Sequence, residues 1–276
     1  MIMNMNILII LVLSLLIGCS APPYKIGKIK IKGSDTMLNL TRLLAEEYMK
    51  TNPGISIYVE GGGSATGINA LINKQIDIST ASRTIRSEEI KLLAEKNRSL
   101  GISTLIAKDA LSIYINKNNP VKNFSVEELK KIFLCEITYW NELGGTDNKI
   151  VPIIRPTNSG THLYFKEHVL NGQDYCSKSL VKQTTKQVIE EVNKNSYAIG
   201  YGGIGYKENV DHALINWVEA SADNVVNDTY PLSRYLYFYT LSTPRGILKD
   251  FIDWVISPVG QKIISSAGYI PIWISN

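Results

Sequence analysis

The chain has 276 residues, enough for one large domain or two of ordinary size. With 45% hydrophobic and 20% charged residues, 20 Gly and 10 Pro, it is globular, and the disordered, collagen-like and disulfide-scaffold classes are excluded. The 29 Lys and Arg against 25 Asp and Glu leave a net charge of +4, too weak and too scattered for a nucleic-acid surface but compatible with a small anionic partner.

Ile7 to Ile17 is an apolar run interrupted only by Ser14, and it closes in Leu16-Ile17-Gly18-Cys19-Ser20. About 20 residues are needed to span a bilayer, whereas the apolar core of a signal peptide takes about 7 to 15. Residues 1–18 therefore read as a signal peptide. Leu16 to Cys19 is similar to a bacterial lipobox, which implies cleavage before Cys19 and lipid attachment to it, although Met1 to Asn6 carries no Lys or Arg. Residues 19–27 read as a tether, and the expected place of the protein is outside the cytoplasm, in a periplasm or on the outer cell surface, anchored to a membrane. Cys135 and Cys176 have 40 residues between them, which leaves their pairing open. Neither has a CxxC or a spaced His, so no metal site and no cofactor are expected.

Lys28 to Lys32 alternates as a strand, and Gly33-Ser34-Asp35-Thr36 then opens a helix with apolar positions at Met37, Leu40, Leu43, Leu44 and Tyr48. The unit repeats. Ile55 to Val59 is a strand followed by the glycine-rich turn 61–67 and a helix through Ile68, Leu71 and Ile72. Ile76 to Ser79 leads through Thr80-Ala81-Ser82-Arg83 to a helix from Ser87 with acids in its first turn. Ala110 to Asn116 is a strand, Ser125 to Glu128 a capping box, and Val151 to Arg155 a strand whose turn 157–161 starts another helix. Strands at 197–199 and 235–240 and a helix over 245–256 complete the pattern. The alternation predicts an α/β protein built of parallel βαβ units.

Four strand-to-helix turns rich in Ser, Thr and Gly collect on one sheet edge in such a fold. Their helix N-termini and hydroxyls donate hydrogen bonds, and Arg83 and Arg155 stand at two of the mouths, so the combined chemistry favours an oxyanion. Other motifs fail. Gly62 to Gly67 has Ile68 where a P-loop needs Lys, and Gly200 to Gly205 fits GxGxxG without the helix it should open, so those glycines read as turns and close backbone approach. Ser64 and Ser159 lie on sharp turns, but neither completes G-x-S-x-G. His162, just inside a helix, reads as a polar wall of the cleft rather than a base.

Taken whole, Gly33 to Met37, Gly61 to Ile68, Ala81-Ser82-Arg83 and Arg155 to Thr161 occur in the order seen in the phosphate-binding lipoproteins of ABC-type phosphate importers. The resemblance continues in Ile132 to Trp140, Ser196 to Tyr201, Tyr230 to Arg234, Ser257 to Gln261 and Gly268 to Pro271. It implies a two-lobed, periplasmic-binding-protein-like fold of type II with two hinge crossovers. Lobe 1 would be 25–107 with 210–276, and lobe 2 would be 108–209. It also implies a monomeric, non-catalytic receptor that closes on inorganic phosphate and meets ABC transporter permease subunits. The expected ligand residues are Ser34, Asp35, Thr36, Met37 (through its amide), Ser64, Ser82, Arg83, Arg155, Ser159, Gly160 and Thr161. Some members carry an Asp directly after the Ala-Ser pair, which accepts the proton of hydrogen phosphate. Arg83 stands there instead, and Asp35 is the nearest carboxylate. A receptor for sulfate or molybdate, and a secreted serine hydrolase or phosphatase, are the alternatives.

Overall fold

The computed structural model describes residues 25–206 and 208–273, so the expected signal peptide, Cys19 and the first part of the tether lie outside the described residues. In chain order the elements are β1 (Gly27–Gly33), α1 (Leu38–Thr51), β2 (Ile55–Glu60), α2 (Ser64–Ile72), β3 (Ile78–Ala81), α3 (Ser87–Asn97) and β4 (Ile102–Ile115). Then come β5 (Asn123–Phe124), α4 (Val126–Phe133), β6 (Val151–Ile154), α5 (Gly160–His168), β7 (Leu180–Val181), α6 (Thr185–Lys194) and β8 (Ala198–Gly203). The chain continues with β9 (Asp211–Ile215), α7 (Ala222–Val226), β10 (Ser233–Thr240), α8 (Gly246–Ile256) and α9 (Pro258–Ser266). Local chemistry sets several boundaries. At α4, Ser125 Oγ accepts from Glu128 N while the Glu128 carboxylate accepts from Ser125 N, satisfying amides that the helix start leaves open. At α9, Pro258 occupies the first helical turn, where its missing N–H costs nothing.

The strands run in the order β2-β1-β3-β10-β4-β8-β6-β7. β1 is parallel to β2 and β3, and β6 is parallel to β7 and β8, as the βαβ units require. β10, however, is antiparallel to both β3 and β4, so the sheet is mixed. Two apolar cores flank the cleft. One gathers Ile29, Ile31, Leu40, Leu44, Phe238 and Phe251, and the other Leu111, Ile113, Phe133, Trp140, Phe165 and Ile199. The change of core dates the crossovers. On β4, Ile106 and Ala107 belong to the first core and Ala110 and Leu111 to the second, while Leu232 lies in the second and Leu236 in the first. The chain therefore passes between lobes near Lys108 and Asp109, and returns between Leu232 and Leu236.

That return corrects the expected boundary at 210. β9 pairs with β4 and β5, and Ala213, Ile215, Val225, Tyr230 and Leu232 bury their side chains in the second core. Residues 210–232 thus pack with lobe 2. The Gly200 to Gly205 stretch also differs from a series of turns, because Gly200, Gly202 and Gly203 lie within β8. Close approach is what requires them: a Cβ on Gly203 would come within 2.7 Å of Thr36 Cγ2 and 3.0 Å of Asp109 Oδ1.

Cys135 and Cys176 are joined as a disulfide, tying the end of α4 to the segment after α5 across 41 residues. A loop of that length gives roughly 4 kcal/mol in the chain-entropy description. Cys135→Ser should accordingly lower the unfolding midpoint by several degrees, on the order of 2 to 4 °C per kcal/mol for a chain of this size. Differential scanning calorimetry checks this, and a midpoint unchanged from wild type would show that the loop is already ordered without the bond.

Candidate functional site

The four turns meet where the two cores face each other. Ser34 follows β1, Ser64 begins α2 and Ser82 follows β3, all from lobe 1, while Arg155 to Thr161 link β6 to α5 in lobe 2. Ser34 Oγ donates to Ser82 Oγ at 3.1 Å, and Ser82 N donates to Ser64 Oγ at 3.2 Å. Thr36 Oγ1 and Thr161 Oγ1 lie 2.8 Å apart across the cleft. Gly160 is the contact point of the lobes: a Cβ there would lie 2.3 Å from Ser64 Oγ and 2.7 Å from Ser82 Oγ. Ser159 Oγ caps α5 by accepting from His162 N, so that helix directs its N-terminal amides and partial positive charge at the hydroxyls. Ser34, Asp35, Thr36, Ser64, Ser82, Arg155, Ser159 and Thr161 are all buried.

Arg155 supplies the formal charge, at 1% exposure. Its Nη1 donates to Thr185 Oγ1 at 2.9 Å, and its Nη2 to Gln183 O at 2.8 Å and to Asp35 Oδ2 at 2.7 Å. Its Nε has no hydrogen-bond partner. Lobe 2 holds this residue rigidly, since Arg155 N donates to the Tyr201 hydroxyl and Arg155 O lies 2.7 Å from His162 Nδ1. Asp35 reaches it from lobe 1, and Asp35 Oδ1 accepts from Gly62 N at 3.2 Å. The α1 helix receives no side-chain cap, so Asp35 is not a helix cap. Further bonds close the lobes at the rim: Asn158 Nδ2 donates to Gly62 O at 3.0 Å, and Ala65 N donates to Asn158 O at 3.1 Å.

Two expected ligand groups are placed otherwise. The Arg83 guanidinium turns away from the cluster into a two-point pair with the buried carboxylate of Glu89, at 2.6 and 2.8 Å, and also donates to Thr84 O. A guanidinium buried at 6% exposure must be compensated, and Glu89, six residues on in the first turn of α3, does so locally. Met37 N is engaged too, donating to Ser34 O at 3.1 Å within the turn, and the Met37 side chain is in the first core.

Sequence reasoning missed several groups around the cleft. Arg234 Nη1 donates to Thr161 Oγ1 at 3.1 Å, with Asp109 beneath it. The Tyr206 and Tyr269 hydroxyls donate to Asp35 O and Thr36 O, fixing the first turn from two sides. A signal for Arg234 did exist: it shares the inward face of β10 with Leu236 and Phe238, so an arginine falls on a core register.

His162 is 7% exposed, and burial pushes its imidazole below the ordinary value of 6.5, against the opposing effect of its bond to Arg155 O. Above that value both folded and unfolded chains carry the neutral ring. Below it the unfolded chain takes up the proton first, so stability falls as pH drops. His162→Gln should flatten the decline of the unfolding midpoint between roughly pH 7 and 5. An identical pH profile in wild type and variant would take His162 out of the acid response.

The lobes, the paired crossover strands and the buried donor-rich cleft define a solute receptor of the periplasmic-binding type. The sequence profile of the PBP superfamily domain matches residues 20–259. The phosphate-binding protein PstS of Pseudomonas aeruginosa is 32% identical over 269 residues, covering 89% of this chain and 83% of that one. PstS of Bacillus subtilis is 31% identical, covering 89% and 81%. Among solved structures, a candidate phosphate ABC transporter substrate-binding protein from Clostridium perfringens, with phosphate bound, superposes with a TM-score of 0.82. It is 30% identical, and the match covers 89% of this chain and 100% of that one. An ABC-type phosphate transport receptor from Vibrio cholerae has a TM-score of 0.71 at 30% identity, covering 88% and 99%. The chain belongs to the PBP superfamily and, within it, to the family of these phosphate-binding proteins.

Proposed function

We propose that the chain binds inorganic phosphate between its lobes and delivers it unchanged to an ABC importer. The observation that carries this reading is Arg155. It is a buried guanidinium with an unpartnered Nε, bonded to Asp35 of the first turn and heading the turn that carries Ser159, Thr161 and the N-terminus of α5, which meets the hydroxyls of Ser34, Thr36, Ser64 and Ser82. Such a set surrounds a tetrahedral dianion with donors from both lobes. The relatives at 32% and 31% identity are named phosphate-binding proteins. We assign Ser34, Asp35, Thr36, Ser64, Ser82, Arg155, Ser159, Gly160 and Thr161 as the ligand residues, and the Arg83 guanidinium, paired with Glu89, is not among them. A hydrolase would need a base on a serine. Here the rings of His162, His168 and His212 each bond a main-chain carbonyl, of Arg155, Tyr164 and Tyr206 respectively.

Lipid attachment at Cys19 and a monomeric state belong to the same reading, and no helix among the described residues is long and apolar enough to cross a membrane. Protein unfolded, freed of ligand and refolded should bind phosphate one to one in titration calorimetry and return it intact. Turnover of a phosphate ester, or preference for sulfate or molybdate, would replace this function by one of its rivals. Because donors come from both lobes, phosphate should also reduce the radius of gyration in solution scattering. An unchanged radius at saturation would place the ligand outside the cleft.

A further inference from the structure

The two crossover strands carry a buried charge pair in direct register. Asp109 on β4 faces Arg234 on β10, at 0% and 6% exposure. Arg234 Nε and Nη2 donate to Asp109 Oδ2 at 2.9 and 2.7 Å, and Ile204 N donates to Oδ1 at 3.0 Å. The guanidinium also lies 5.5 Å from the centre of the Tyr164 ring. A buried ion pair is weak evidence for stability, because desolvation offsets most of the attraction. The remaining nitrogen points to another use: Nη1 donates to Thr161 Oγ1, which also lies 2.8 Å from Thr36 Oγ1.

A guanidinium only donates, so the Thr161 oxygen must accept this bond, and a hydroxyl has one proton and two lone pairs. With a lone pair filled from the Arg234 side, the Thr161 proton is left for the cleft side, where Thr36 Oγ1 lies in the closed structure and where an oxyanion would compete for it. Without that bond nothing on this side fixes the hydroxyl rotor, and Thr161 can face the cleft with lone pairs, which an anion repels. We propose that Arg234 is a positioning residue: anchored by Asp109, it fixes the Thr161 hydroxyl as a donor to the oxyanion, so that the strands joining the lobes also tune the ligand site. This rests on the phosphate reading above and deepens it.

Arg234→Lys keeps a charge opposite Asp109 but lacks the fork that reaches both partners. In titration with inorganic phosphate it should raise Kd by about tenfold, the worth of one oriented hydrogen bond. In a Thr161→Val background the same substitution should change Kd by less than about twofold, because the hydroxyl it orients is gone, and in Thr161→Ser the tenfold effect should return. Equilibrium dialysis with labelled phosphate extends the range for the weakest variants. If Arg234→Lys disturbs the strand pair, the double variant Asp109→Asn with Arg234→Gln takes its place in the same three backgrounds. Equal losses with and without the Thr161 hydroxyl, or no loss at all, would overturn the positioning role. Wild-type protein that takes up no phosphate would overturn the functional reading and this role together, a result distinct from additive losses in a wild type that binds.

Discussion

Arg155→Ala is expected to weaken phosphate binding by tenfold to more than a hundredfold while leaving the fold intact. The lower figure corresponds to one charge-assisted hydrogen bond, worth about 1.5 to 3 kcal/mol, and a guanidinium can present more than one N–H to an oxyanion. The loss should be largely confined to binding, because Arg155 belongs to neither apolar core, and its partners, the Thr185 hydroxyl, the Gln183 carbonyl and the Asp35 carboxylate, reach water in the widened cleft. The variant also leaves Asp35 facing the ligand without its guanidinium, which adds repulsion to the lost attraction. Titration calorimetry and the unfolding midpoint, measured on the same preparation, separate the two effects. An affinity within twofold of wild type would exclude Arg155 from the ligand shell.

The second large effect concerns selectivity. Phosphate and sulfate are both tetrahedral, and near neutral pH a proton on hydrogen phosphate is what tells them apart. Donors alone cannot use it. Asp35 is the carboxylate that faces the hydroxyl cluster from the first turn, buried, with Oδ1 on Gly62 N and Oδ2 on Arg155 Nη2. Each oxygen retains a lone pair, and the single proton of hydrogen phosphate would satisfy one of them, where sulfate would bring a lone pair of its own. Asp35→Asn should narrow the phosphate-to-sulfate preference by on the order of tenfold, since an unsatisfied buried polar contact costs about 1 to 3 kcal/mol. Titrating the variant with each anion decides the matter. A preference equal to wild type would leave Asp35 as the brace of Arg155 and move the acceptor to a hydroxyl or a carbonyl.

The repeated strand, turn and helix were legible because each unit is local. β2, read over 55–59, spans Ile55–Glu60, and the helix read over 245–256 spans Gly246–Ile256. The Ser125 capping box and the Ser159 start of α5 were equally plain, since capping involves neighbours three residues apart. What sequence periodicity could not reach was non-local. β4 begins at Ile102, eight residues before the stretch read as strand, because pairing with β10 rather than alternation sustains its first half. The lobe boundary moved for the same reason, as β9 is added to the second lobe by pairing with β4. Within the site, residue types were readable and directions were not. Arg83 and Arg155 each lie within two residues of a strand end, in a polar turn, and the position of Glu89 in α3 draws the first away from the cleft. Arg234 closes a motif of the resemblance, but its role at the site is not readable from sequence because its partner Asp109 is 125 residues distant.

The Arg83–Glu89 pair has a kinetic consequence. With that guanidinium cancelled inside lobe 1, the buried charge this lobe brings to the cleft is the carboxylate of Asp35, with the exposed Arg42 at the rim, whereas lobe 2 brings the buried Arg155, supported by the uncharged groups of Thr185 and Gln183. With the lobes apart, an arriving dianion would meet a buried guanidinium on lobe 2 and a buried carboxylate on lobe 1. Under the proposed function capture would then begin on lobe 2, in an encounter whose rate should fall as salt shortens the reach of the charge to about 10 Å or less. The hydroxyls of Ser34, Thr36, Ser64 and Ser82 arrive afterwards, in a unimolecular folding-over of lobe 1 that ionic strength scarcely touches.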